Sequence, residues 1–168
     1  MRKRIFITIC VSVLAIVCIQ FQAYGAEYFT FEAGPVTGNT GERKTLSELD
    51  PLSVAQLGYM RTKENNTFIH FFWGSLVSEY SQRTQYIFGE IGYKFKLKEP
   101  WTLELSFGIG RVDLTDNYLS TNNMFTEAIR LGYGNFYLCK RHMSNGEEFL
   151  SNTGKNYGRN TLTLGYKF

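Results

Sequence analysis

Gln85–Val112 reads QYIFGEIGYKFKLKEPWTLELSFGIGRV, and this stretch decides the fold. In its first half Ile87, Gly89, Ile91, Tyr93, Phe95 and Leu97 share one parity, and Phe88, Glu90, Gly92, Lys94 and Lys96 share the other. Lys98-Glu99-Pro100 breaks the pattern. It resumes with Trp101, Leu103, Leu105, Phe107 and Ile109 set against Thr102, Glu104, Ser106, Gly108 and Gly110. Successive side chains of a strand point to opposite faces. The stretch is therefore a hairpin of two long strands, each with one unbroken apolar face and one face of charge, hydroxyl and glycine. Strands that are apolar on one side over ten or more residues, with aromatics near the short turn, match a barrel wall facing lipid.

The same alternation continues outward in both directions. Upstream it predicts strands over Glu27–Ala33, Ser53–Arg61 and Thr67–Leu76, and downstream over Met124–Tyr133, Phe136–Ser144 and Gly158–Phe168. With the central pair this makes eight. Long polar stretches at Gly34–Asp50, Asp113–Asn122 and Asn145–Tyr157, and a medium link at Ser78–Arg83, alternate with short turns. Short periplasmic turns and long external loops are the pattern of an all-β, eight-stranded antiparallel up-and-down transmembrane barrel. Closing the last strand on the first removes the sheet edges. The rival architecture is a secreted β-sandwich.

The first 25 residues predict a signal peptide, leaving residues 26–168 as the barrel. Arg2, Lys3 and Arg4 precede the apolar run Ile5–Ile19, and Ala23-Tyr24-Gly25 offers small residues at the cleavage positions. The 18 Lys and Arg include those three, so the remaining chain carries 15 basic against 15 acidic residues. The basic excess thus belongs to export, and no nucleic-acid partner is implied. Cys10 and Cys18 leave with the leader, and Cys139 alone makes no internal disulfide. After the leader no stretch approaches the ~18 consecutive apolar residues of a membrane helix. The expected location is the bacterial outer membrane.

Candidate chemistry sits near the C-terminus, in the segment Arg141–Phe168, RHMSNGEEFLSNTGKNYGRNTLTLGYKF. His142 and Ser144 are two apart on one strand face, roughly 7 Å along the chain, next to an external loop. A serine beside a histidine base is the minimum equipment for acyl transfer. His142 and Ser144 share parity with Phe136 and Leu138, and Asn160 shares parity with Leu162, Leu164, Tyr166 and Phe168. Three polar groups are thereby directed at lipid, where they are costly. A lipid substrate accounts for them.

These residues resemble the lipid A 3-O-deacylase (PagL) family, eight-stranded outer-membrane barrels with a His-x-Ser-Asn motif on the penultimate strand and an acid on the last. His142-Met143-Ser144-Asn145 matches that motif, and Asn156-Tyr157-Gly158-Arg159-Asn160 aligns with the family's Asn-Pro-Gly-x-Glu segment. The likeness at motif level covers about the last 28 residues. It implies a serine ester hydrolase that removes the 3-O-linked acyl chain of lipid A at the outer leaflet, with lipopolysaccharide as substrate. His142 would be base, Ser144 nucleophile, and Asn145 an oxyanion donor. Asn160 stands where the family has its acid, and Tyr157 where it has proline. An Asn in the third position still orients a histidine in some hydrolases.

A second orienting group follows from the hairpin turn. If Gly134-Asn135 is a two-residue turn, Glu127 falls opposite His142, on the same outward face as Ile129, Leu131 and Tyr133. Its alternatives are a rim carboxylate paired diagonally with Lys140, or a group that supplements or replaces Asn160. Lys140 itself either snorkels or meets a phosphate. Glu90, Glu104, Lys94, Lys96 and Arg130 have inward parity and predict an ion-pair network filling the lumen. His70 and Cys139 are inward too, as packing or lumen groups. No cofactor is implied. Two histidines on strands distant in sequence argue against a His-based metal site. A structural or adhesive barrel is the competing function. A filled lumen argues against a pore. Pairing of two barrels as a homodimer is left open.

Overall fold

The structure, a computed structural model, describes residues 25–39, 53–78, 81–113, 123–144 and 158–168. Nine strand segments run in chain order: β1 (Glu27–Gly34), β2 (Val36–Asn39), β3 (Val54–Thr62), β4 (Thr67–Ser78), β5 (Ser81–Lys96), β6 (Trp101–Val112), β7 (Asn123–Tyr133), β8 (Phe136–Ser144) and β9 (Arg159–Lys167). Each pairs antiparallel with the next from β3 onward, and β9 returns to β1 through Thr30↔Lys167 to Ala33↔Leu164. β2 also pairs with β9, through Val36↔Thr161 and Asn39↔Arg159. β1 and β2 are one stave interrupted at Pro35, so the barrel has eight staves and is closed.

Two boundaries differ from the sequence reading. Gly34–Asp50 was expected to be polar loop from its start, yet the chain remains paired to Asn39. Proline removes one ladder donor, but the Pro35 carbonyl still accepts from Leu162 N at 3.1 Å, so pairing resumes beyond it. The link expected at Ser78–Arg83 is also largely strand, with Ser78 paired to Ser81 after a register irregularity at Leu76/Ser78. Beyond the apolar band, alternation loses its hydrophobic signal while the backbone ladder continues.

The outside of the barrel is apolar. Leu57, Trp73, Ile87, Phe107, Ile129 and Leu164 are all exposed, Phe107 by 69%. In water so much exposed apolar surface would drive association; against hydrocarbon it is the required face. Trp101 and Tyr133 stack edge to face at 5.0 Å beside the short turns, where an aromatic belt is expected. Among the described residues no helix is long and apolar enough to cross a membrane. The strands do the crossing.

The lumen is filled in layers. Toward the external end, Val54, Phe72, Leu76, Phe88, Met124 and Met143 form an apolar plug. Below it lies a charged cluster. Arg130 bonds Glu90 at 2.5 Å and Ser106 at 2.8 Å, and Arg141 pairs with Glu90 at 3.2 Å and Glu32 at 3.5 Å. Tyr137 and Thr163 each donate to Glu32 at 3.0 Å. Two guanidinium and two carboxylate groups thus balance in charge, with both carboxylates well hydrogen-bonded and Arg130 Nε and Arg141 Nε held by ion pairing rather than by hydrogen bonds. The expected inward Glu90, Glu104 and Arg130 are all buried. Lys94 is half-buried and Lys96 exposed, because parity sets the face and not the depth, and both lie near the periplasmic mouth. Glu104 instead pairs with Lys167 at 2.5 Å.

His70 belongs to this cluster. Arg130 is a donor only, so the His70 Nδ1 at 3.1 Å from its Nη2 must accept. The ring is then neutral, and its Nε2–H donates to Thr30 Oγ1 at 2.9 Å. Gly58 makes room for it, since a Cβ there would meet both the His70 ring and the Thr30 hydroxyl. Cys139 is fully buried beside Tyr137 and Ala128.

Candidate active site

The β7–β8 hairpin sets the geometry of the external rim. Gly134 has φ 58°, a left-handed value that glycine adopts at no steric cost and that primed two-residue turns require. Tyr133 therefore faces Phe136, Leu131 faces Leu138, Ile129 faces Lys140, and Glu127 faces His142. On the other side of β8 the ladder sets Leu138 against Leu164, Lys140 against Leu162 and His142 against Asn160. His142 thus sits between a carboxylate strand and an amide strand.

The imidazole leans toward β9. His142 Nδ1 lies 2.9 Å from Asn160 Oδ1. A carbonyl oxygen can only accept, so Nδ1–H donates, and whenever the ring is neutral the lone pair is on Nε2. That is the tautomer a general base needs. Ser144 lies two residues on along β8, on the same face. His142, Ser144 and Asn160 are all half-buried, reachable from the lipid side without being swamped by it.

The back of β8 is pinned. Arg141 and Met143, the residues flanking His142, point inward: Arg141 into the Glu32–Glu90 pair and over the Phe72 ring at 4.0 Å, Met143 into the apolar plug. The strand presenting the candidate pair is therefore fixed by buried charge and packing at alternate positions, as precise sites demand.

In front lies a groove of about 490 Å³, lined among others by Leu105, Glu127, Ile129, Lys140, His142 and Asn160. Leu105 and Ile129 give it aliphatic surface and Glu127, Lys140, His142 and Asn160 polar groups, while Ser144 is not part of its lining. Glu127 and Lys140 are exposed there. Of the two orienting groups considered from sequence, Asn160 holds Nδ1, and Glu127 stands across β8 from it. Asn145, with Asn156 and Tyr157 of the second motif, lies outside the described residues. His70 is remote from the groove in function, being locked inside the lumen. Among the described residues no three His, Cys, Asp or Glu side chains gather as a metal site.

Sequence reading missed Arg141, Glu32 and Lys167. The signal available for Arg141 was its parity with Cys139. Nothing local marks its partner Glu32, which lies 109 residues away.

No family model matches the chain, and no curated protein matches it in sequence. Solved structures do match. The crystal structure of Neisserial surface protein A (NspA) aligns with a TM-score of 0.58 at 13% identity, over 86% of this chain and 97% of that one. The outer-membrane enzyme PagL aligns with a TM-score of 0.51 at 12% identity, over 85% and 99%. The N-terminal β-barrel domain of Pseudomonas aeruginosa OprF aligns with a TM-score of 0.50 at 12% identity, over 86% and 100%. The fold is that of a small bacterial outer-membrane barrel. Identity at this level speaks for the fold alone, and of these three PagL is described as an enzyme.

Proposed function

We propose that the protein is an ester hydrolase of the outer leaflet that removes the 3-O-linked acyl chain of lipid A, with lipopolysaccharide as its substrate and no cofactor. The observation that carries this reading is the His142–Asn160 bond on the lipid-facing side, which occupies Nδ1 and leaves Nε2 for proton transfer, two residues from Ser144. A polar pair facing hydrocarbon is costly without a use, and the groove beside it has room for an acyl chain.

The chemistry proceeds in two transfers. His142 Nε2 takes the Ser144 proton while Oγ bonds to the ester carbonyl carbon. Asn145 and backbone N–H groups stabilise the resulting oxyanion. The sugar C–O⁻ leaves as the C–O bond to the acyl group breaks, taking its proton from the imidazolium. Water, deprotonated by His142, then attacks the acyl-serine, and the free fatty acid departs as Ser144 recovers its proton. Residues 1–25 are the leader in this reading, removed before assembly.

The competing reading, a structural or adhesive barrel, draws on one feature: the third position holds neutral Asn160 where the resembled family has an acid. Mass spectra of lipid A from cells producing the protein separate the two. The hydrolase reading expects loss of one 3-hydroxyacyl chain, dependent on Ser144. Unchanged lipid A with altered surface adhesion is the outcome that overturns it.

A further inference from the structure

The neutral residue at 160 leaves one task of a catalytic acid undone. An orienting acid holds the histidine in one tautomer and also supplies negative charge to the imidazolium as it forms. Asn160 does the first through its 2.9 Å bond to Nδ1. An amide carries no net charge for the second. Directly across β8, the register sets Glu127 opposite His142. Directly opposed residues on one face have Cβ atoms about 5 Å apart, close enough for a carboxylate to act on an imidazolium through space without touching it.

The surroundings of Glu127 bear on whether its charge is free to act. On β6 its opposed residue is Phe107, which is apolar. On β8 the other charged group of the groove is Lys140, one pair deeper. On β9 His142 faces Asn160, uncharged, and Lys140 faces Leu162. No other charged side chain lines the groove among the described residues. A carboxylate on a lipid-facing position is expensive, and the neighbours named here offer it one cation, Lys140, and one nascent cation, His142.

We propose that the acid's work is divided between the two strands flanking β8: Asn160 fixes the orientation of His142, and Glu127 supplies the negative charge that stabilises its protonated form. Glu127 is a positioning residue in this scheme, acting through His142 rather than on the substrate. The inference rests on the hydrolase reading for its kinetic consequence, but the coupling between Glu127 and His142 exists with or without turnover.

The experiment therefore has two arms. In the first, the His142 side chain is followed by NMR across pH in ¹⁵N-His-labelled barrels in nanodiscs, all carrying Ser144→Ala so that no chemistry intervenes. A nearby carboxylate favours the charged imidazole. Glu127→Gln should therefore move the His142 midpoint to lower pH, Glu127→Asp should leave most of it in place, and Glu127→Gln with Asn160→Asp should move it back up. In the second arm, with Ser144 intact, deacylation by Glu127→Gln should fall about 10- to 100-fold in kcat with KM little changed, and Asn160→Asp in the same chain should recover most of the loss. A His142 midpoint that ignores Glu127→Gln overturns the division of labour even if the enzyme is active. A midpoint that moves in proteins that never deacylate lipid A leaves the coupling standing and overturns the hydrolase reading instead. Full activity in Glu127→Gln alone overturns the proposal as well.

Discussion

The barrel holds its two histidines in opposite circumstances. His70, inside the lumen, is fully buried with both ring nitrogens engaged, Nε2 by Thr30 and Nδ1 by Arg130. His142, on the lipid-facing rim, has Nδ1 engaged by Asn160, and Ser144 lies two residues on along the same strand. Each ring is oriented at Nδ1 by a neighbour of defined polarity, the donor Arg130 at His70 and the acceptor Asn160 at His142. The difference is what remains afterwards. A histidine whose two nitrogens are both satisfied has no capacity for proton transfer and serves the fold. One with a single nitrogen satisfied is oriented and still reactive.

Ser144→Ala and His142→Ala should each lower deacylation by several orders of magnitude, as removal of a nucleophile or base from such a unit does. Their unheated-gel mobility and membrane assembly should match the parent. Residual activity within tenfold of the parent in Ser144→Ala, measured on purified lipid A, sinks the assignment of the nucleophile.

The inner cluster should show the reverse profile. Glu90→Ala removes the partner of Arg130 and Arg141 together, leaving buried cations short of charge. Breaking a buried pair in this way costs about 3–5 kcal/mol, to be read from urea titrations of folding into lipid vesicles. Any fall in activity should track the unfolded fraction. Loss of turnover in fully folded Glu90→Ala protein would join the two regions that the comparison keeps apart.

His70→Ala should be milder. It strips one hydrogen bond each from Thr30 and Arg130, a loss of about 1–3 kcal/mol where buried polar groups are left unpaired. Folded protein should keep its kcat. A kcat near that of His142→Ala would contradict the division between structural and reactive histidine.

Removing Phe168 should matter least to the site and act on closure. Its amide donates to Phe29 O at 2.9 Å, and its ring packs edge-on against Tyr166 at 5.0 Å. Slower assembly of the truncated chain, followed by the gel shift of the folded form, is expected with unchanged activity per folded barrel. Equal assembly rates would show the last aromatic to be dispensable.

Much of the rim was legible in the sequence because its determinants are local. Gly134-Asn135 alone sets the β7–β8 register, and period-two parity then places Glu127 opposite His142 on the outer face. The β8–β9 match of His142 to Asn160 was not fixed by any local feature, since the long segment 145–157 joins those strands. It came from the ladder itself. The lumen was half legible. Parity put Glu90, Glu104 and Arg130 inside, yet which of them meet depends on stagger around the closed barrel. The pairing of Glu32 with Arg141 across 109 residues therefore has no sequence mark. The polar stretch from Gly34 misled in the other direction, because the hydrophobic alternation stops there while the ladder continues past Pro35 to Asn39.

The claim beneath all of this is that His142 makes Ser144 a nucleophile. The most direct measurement is the intact mass of the folded, purified barrel after brief exposure to an alkyl phosphonate that modifies activated serines. One adduct is expected, mapped to Ser144, and it should disappear in His142→Ala. An unmodified parent barrel, or equal labelling of Ser144 with and without His142, would contradict it.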